Sequence, residues 1–289
     1  MNLNSSIGSF SYAFAMRGLS NAGLNEIDNN VINAVGNLEQ QSSGIGAPPR
    51  NYAFGVNGTG LSCGGAFSSA GVFNLSGTTV GGTQDLNCAG TITQNQTLTS
   101  TYTAIDALGR GSGSFSAATG TSAFIYYVVS ANRYRFLCPD ATTFFLGSAD
   151  LQTQMTFATV DFNGNYVVNT SANTQAGVSY TPIQLNASAG SISTGFYDVN
   201  DTGVVGQSSL TGTYNVAANG RLNGSFTVSG VALPFSMYMI SPNQAYISTC
   251  GRTQLEAGMP TRRVRESSAM WRGPEAMPLC SLGTSLRTV

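Results

Sequence analysis

Histidine is absent from this chain of 289 residues, and so is lysine: all twelve basic residues are arginine. Without His there is no Ser–His or Cys–His pair, no usual general base, and no commonest zinc ligand. Charge is scarce, at 9% of residues against about a quarter in an ordinary globular chain. With a net charge of -1 there is no general electrostatic footprint for nucleic acid. No apolar run approaches a membrane helix. Met1-Asn-Leu-Asn has neither the basic start nor the apolar core of a secretion signal. The five cysteines, at 63, 88, 138, 250 and 280, never show the two-residue spacing of a zinc knuckle or a redox motif.

What is present is glycine, 35 residues of it, with abundant Ser, Thr and Asn, in a chain that is still 42% hydrophobic. Small polar residues therefore replace charges on the surface, as on many exported β-proteins, and the chain is not disordered. The central pattern is Leu210 to Phe226, Leu-Thr-Gly-Thr-Tyr-Asn-Val-Ala-Ala-Asn-Gly-Arg-Leu-Asn-Gly-Ser-Phe. Thr213 to Val216 alternates polar and apolar, the period of a half-buried strand. Asn219-Gly220 is the dipeptide that most readily supplies positive φ in a hairpin. Leu222, Gly224, Phe226 and Val228 then share one face. The same stretch occurs at Leu98 to Phe115.

Matching segments extend this into a duplication with an offset of roughly 112 residues. Asn51-Tyr answers Asn165-Tyr, Asp85-Leu-Asn87 answers Asp198-Val-Asn200, and Phe124 to Asn132 answers Phe235 to Asn243. A period of that length is a whole domain rather than a solenoid coil. Each unit shows about eight short strands with turn residues between them. The expected fold is all-β: tandem antiparallel up-and-down barrels, or barrel-like sandwiches, of about eight strands. Residues 1–41 read as the C-terminal remnant of a preceding repeat, about its last three strands. An amphipathic helix over Asn25 to Gln41 is the competing reading. Residues 42–50 are a linker, 51–154 the first barrel, and 155–259 the second with its last strand missing. Residues 260–289 lose the repeat register. They carry five of the twelve Arg and the only Trp, and are expected to be irregular, unpacked and not native to the fold.

The series Asn-Tyr-aromatic, Asp-Val-Asn, Gly-Thr-Tyr-x-Val-x-x-Asn-Gly-Arg and apolar strand-Ser-x-Asn-x-x-Tyr resembles tandem-repeat β-proteins of unknown function predicted from environmental bacterial genomes, especially Acidobacteria. The resemblance covers most of 51–258 and part of 8–41. It implies exported or surface-displayed meander barrels, similar in outline to lipocalin and avidin folds. It implies no activity, cofactor or site.

Site residues follow from residue chemistry. Asp85, Asn87, Asp198 and Asn200 occupy turn positions, where Asx side chains bond nearby backbone. The alternative is calcium, for which Asp198, Asn200 and Asp201 supply oxygen ligands, though no twelve-residue calcium loop is present. Arg110 and Arg221 follow the turn glycines as exposed partners, with the Asp-x-Asn turn a candidate counter-ion. Tyr102, Phe115, Tyr214 and Phe226 are expected to fill the repeat cores. In a meander the loops holding Cys63 and Cys88 lie at one end, so these two are the candidate disulfide. Cys138 is the competing partner, and Cys250 is a free thiol unless Cys280 reaches it.

No catalytic residue, cofactor or metal is expected. Glycoside hydrolysis would need a carboxylate pair, and the repeats hold almost no Glu. The leading expectation is a secreted or surface-displayed structural or adhesive protein, with cell-surface or matrix components as partners. The alternative is a small apolar ligand held in the barrel, as in lipocalins. Cavity volume discriminates between them.

Overall fold

The computed structural model describes residues 2–5, 8–27, 35–42, 50–60, 63–117, 120–140, 143–174, 177–201, 203–249, 282–283 and 287–288. Three antiparallel sheets follow one another along the chain. The first is a meander of β1 (Asn2–Ser5), β2 (Gly8–Met16), β3 (Asn21–Glu26) and β4 (Val35–Glu39). Strands β3 and β4 take the place of the helix that Asn25 to Gln41 could have formed; residues 28–34 lie outside the described residues.

The second sheet is a closed eight-stranded barrel. Its strands are β5 (Asn51–Gly60), β6 (Gly65–Ser76), β7 (Thr79–Cys88), β8 (Thr91–Tyr102), β9 (Arg110–Ala117), β10 (Gly120–Ser130), β11 (Arg133–Leu137) and β12 (Thr143–Leu151). Closure comes from β12, which pairs with β5 from Thr143↔Gly60 to Leu151↔Tyr52. Closing the sheet removes the unpaired edges that an open meander exposes.

The third sheet repeats the order of the first seven barrel strands. It runs through β13 (Gly164–Thr174), β14 (Gly177–Ser188), β15 (Ser191–Asp201), β16 (Val204–Val216), β17 (Arg221–Val228), β18 (Val231–Ser241) and β19 (Gln244–Thr249). A single 3-10 turn, Thr159–Asp161, precedes it. Between β19 and β13, where the barrel has β12, two dipeptides sit instead. β20 (Leu282–Gly283) pairs with Ile247 and Ser248, and β21 (Arg287–Thr288) pairs with Tyr166 and Val167. This corrects the expectation of an irregular, unpacked tail at those four residues. Open edges offer unpaired N–H and C=O groups, which any extended segment can satisfy whatever its side-chain period. The rest of the tail, with Trp271 and Cys280, lies outside the described residues, as do 43–49 of the linker and Cys250.

Hairpin chemistry differs from expectation in one respect. Among the described residues, the two-residue turns with both φ values positive are Ala89-Gly90, Ala189-Gly190 and Ser229-Gly230. In Asn219-Gly220 only the glycine has positive φ, at 84°. That loop spans residues 217–220, and Asn219 Oδ1 accepts the Arg221 N–H at 3.0 Å as an Asx turn. The bend is therefore made by side-chain capping rather than by a paired positive-φ turn.

Alternation sorts the side chains. Along β17, Leu222, Phe226 and Val228 are buried while Asn223 and Thr227 are exposed. Each such large side chain contributes roughly 1.5–3 kcal/mol when fully buried. Gly113 and Gly224 lie beneath rings of the neighbouring strand. A Cβ at Gly113 would come within 2.5 Å of Phe124 Cζ, and one at Gly224 within 2.8 Å of Phe235 Cζ.

Candidate functional site

The barrel holds an apolar cavity of about 320 Å³ that opens to solvent. The period of two in Phe124-Ile-Tyr-Tyr-Val-Val sends Phe124, Tyr126 and Val128 inward from β10, and Tyr134 and Phe136 follow from β11. Phe115 of β9 stacks on Phe124 with ring centroids 4.2 Å apart, and Phe136 meets Phe124 edge-on at 5.7 Å. Ala104 and Ile105, on the loop between β8 and β9, complete one end of the lining, where Ala104 is exposed.

The tyrosine hydroxyls around the cavity are hydrogen-bonded within the protein rather than left free. Tyr126 OH donates to the Thr103 carbonyl at 2.6 Å, and Tyr102 OH donates to that of Gly77. Tyr134 OH donates to Tyr52 OH, which donates to the Ala131 carbonyl at 2.9 Å. Desolvation pushes the Tyr126 phenol up to about 12 and raises that of Tyr134 as well. Both are neutral at neutral pH, and among the described residues no Asp, Glu or Arg lines the cavity. The wall offers ring faces and no charge.

The Asx turn that shapes the mouth loop is made by Asp106. Its Oδ1 accepts the N–H groups of Leu108 at 2.8 Å and Arg110 at 2.9 Å. Those bonds hold its carboxyl below the usual Asp range. Among the described residues of the third sheet, a pocket of about 50 Å³ lies beside Ile183, Tyr197, Leu210 and Phe226. Phe226 and Phe235 stack there at 4.0 Å. Phe157 and Phe162, from the segment joining the two sheets, belong to its core, with Phe162 stacked on Tyr166 at 4.2 Å.

The other candidate residues are distributed as follows. Cys63 and Cys88 form a disulfide, their Cα atoms 5.0 Å apart, tying the turn after β5 to the end of β7. Cys138 is buried with a free thiol, which burial pushes up. Tyr102 and Phe115 line the cavity, whereas Tyr214 and Phe226 belong to the core of the third sheet. Asn200 Oδ1 accepts the Gly203 N–H at 2.9 Å, and Asn87 Oδ1 accepts that of Gly90 at 2.9 Å. Both asparagines therefore serve their turns. Asp198 is exposed, and the Asp201 side chain lies outside the described residues. Among the described residues no group of three or more His, Cys, Asp or Glu could hold a metal ion.

Arg110 is exposed. Arg221 is mostly buried, and its counter-ion is not in its own sheet. Its Nε donates to Asp85 of the barrel at 3.0 and 3.2 Å. Residue-type patterns suggested this pairing of types, but nothing in a single repeat indicates that it crosses between sheets. Residue type alone does not mark Tyr126, Tyr134 and Phe136 as site residues. The period of two in their strands was the available signal.

No helix among the described residues is long and apolar enough to cross a membrane. No protein-family model matches this chain, and no curated protein does either. Among solved structures, a mutant of the vaccine antigen transferrin binding protein B from Haemophilus parasuis is similar at 10% identity and a TM-score of 0.25, over 75% of this chain and 81% of that one. At that level the similarity carries no argument, and the all-β barrel architecture stands on the strand pairings of this chain alone.

Proposed function

We propose that this is a non-enzymatic binding protein, outside the cell or displayed on its surface, whose barrel takes up one small uncharged apolar molecule. The cavity of about 320 Å³ inside the closed barrel carries the reading. Ligand pockets run from about 300 to 1,000 Å³, so the occupant is a small ring system rather than a long chain. Stacked and edge-on rings in the wall favour a flat aromatic partner. A charged ligand would lose its hydration with no counter-charge to replace it. The lining also lacks a carboxylate or imidazole, which supports binding rather than turnover. The Cys63–Cys88 disulfide supports an oxidising compartment.

Titration of the full chain with N-phenyl-1-naphthylamine, a neutral aromatic dye, tests this. The expected result is saturable one-to-one fluorescence enhancement in the wild type that is lost in Ala104→Trp. Ala104 is exposed, so the substitution plugs the mouth without straining the core. Absence of saturable binding, or equal binding in the plugged variant, overturns the proposal. A second reading, a structural or adhesive surface module engaging cell-surface or matrix components, is favoured by one observation. The barrel and the third sheet share a buried apolar cluster of Ala53, Ala70 and Val72 with Tyr238, Ile240 and Tyr246, which suits a stiff scaffold.

A further inference from the structure

The end of β12 contacts the third sheet in the same way that the end of β4 contacts the barrel. Gln152 Nε2 donates to the carbonyls of Asn219 at 3.0 Å and Met239 at 2.7 Å. Gln41 Nε2 donates to those of Leu108 at 3.0 Å and Val128 at 2.5 Å. One residue on, Thr153 N–H donates to the Ile240 carbonyl at 2.8 Å, and Ser42 N–H to that of Val129 at 2.9 Å. Two residues before each glutamine stands an acid. Asp150 accepts the Tyr246 hydroxyl at 2.5 Å, and Glu39 accepts Arg135 Nε at 2.7 Å. Each residue of one set is displaced by 111 positions from its counterpart in the other.

The receiving hairpins explain why these carbonyls are available. The β9–β10 ladder ends at the Tyr127↔Arg110 pair, and the β17–β18 ladder at Arg221↔Tyr238. Past those pairs the register of the next ladder slips, between Val128 and Ser130 in the barrel and between Met239 and Ser241 in the third sheet. A bulge leaves its extra residue out of the ladder. Val129 and Ile240 are those residues, and their carbonyls accept the incoming N–H. Backbone acceptors without a ladder partner need a donor from elsewhere, and the strand end supplies both a main-chain and a side-chain one.

We infer that the bulged hairpin is a docking face whose partner is a strand end of the form acid-x-Gln, used twice in this chain to hold consecutive sheets in one fixed orientation. The two uses differ in depth. Gln152 is buried beside the apolar cluster of Ala53, Ala70, Val72, Tyr238, Ile240 and Tyr246, whereas Gln41 is exposed. The second clasp is therefore the tighter one.

Hydrogen-exchange mass spectrometry on the full chain tests the inference, using Gln152→Met and Gln41→Met. Each substitution keeps side-chain length and removes the donors. Gln152→Met is expected to speed exchange of peptides containing Thr153 by about tenfold, since buried acceptors lose their donor, while the Ser42 peptide stays as in the wild type. Gln41→Met is expected to do the reverse, with a smaller effect. Because Gln41 is exposed, that variant reads the clasp even if Gln152→Met does not fold. Unchanged protection at Ser42 in Gln41→Met overturns the inference, as does simultaneous loosening of both peptides in either folded variant.

Discussion

Replacing Asp85 by Ala probes the joint between barrel and third sheet at its most buried charge. The Asp85 side chain is 1% exposed and that of Arg221 13%. Besides Arg221, Asp85 Oδ1 accepts the Asn95 N–H at 2.5 Å, across a slip in the β7–β8 ladder where Asn95 has a φ of 52°. Asp85→Ala therefore strands a desolvated guanidinium and a backbone donor together. Removing one partner of a buried pair costs about 3–5 kcal/mol. Taking about 3 kcal/mol, and about 2–4 °C per kcal/mol for a chain of this size, Tm should fall by about 6–12 °C. Arg221→Met removes the other partner, and the double variant should be less damaged than the sum of the singles, with a coupling of about 1–3 kcal/mol. Asp85→Asn, which keeps an acceptor for Asn95, should fall between. Scanning calorimetry with urea melts of all four variants measures the cycle. A loss under about 1 kcal/mol for Asp85→Ala, or strict additivity, would refute the claim that this pair is desolvated and joins the two sheets.

Two further outcomes are expected. The disulfide encloses a separation of 25 residues, so Cys63→Ser with Cys88→Ser should lower stability by about 3 kcal/mol through loop entropy. A denaturation midpoint that does not move, or separate alkylation of both thiols without prior reduction, would show that the bridge is not formed. For Glu39, burial by itself would raise the carboxyl, but Arg135 and Arg133 outweigh it and its pKa is lowered. Asp150 also faces Arg133, at 2.6 Å. A lowered folded value means that Glu39 contributes fully above the ordinary Glu range and loses the contribution as pH falls through the folded value. Exchange at β4 should thus rise in acid, and Glu39→Gln should remove most of that dependence. An identical acid profile in the variant would assign the effect to another group.

Alternation and turn residues alone determine that this chain is all-β, because a strand's two faces write themselves into every second residue. Leu222, Phe226 and Val228 are legible as an inward row for that reason, as are Phe124, Tyr126 and Val128. The positions of Cys63 and Cys88 at one end of a meander are also legible, since strand count sets which loops share an end. Whether the rings meet or leave space is another matter. Phe226 closes on Phe235 at 4.0 Å beside a pocket of about 50 Å³, while Phe115 and Phe124 form one wall of a cavity of about 320 Å³. Residue types at a period of two are alike in both, and only the packing of side chains from eight strands decides the remaining volume. The joints are equally a product of tertiary structure. A glutamine after a strand and an arginine after a turn look like solvated ends in a linear reading. They become clasps because the bulges at Val129 and Ile240 expose carbonyls and because Asp85 is brought, 136 positions away in sequence, against Arg221.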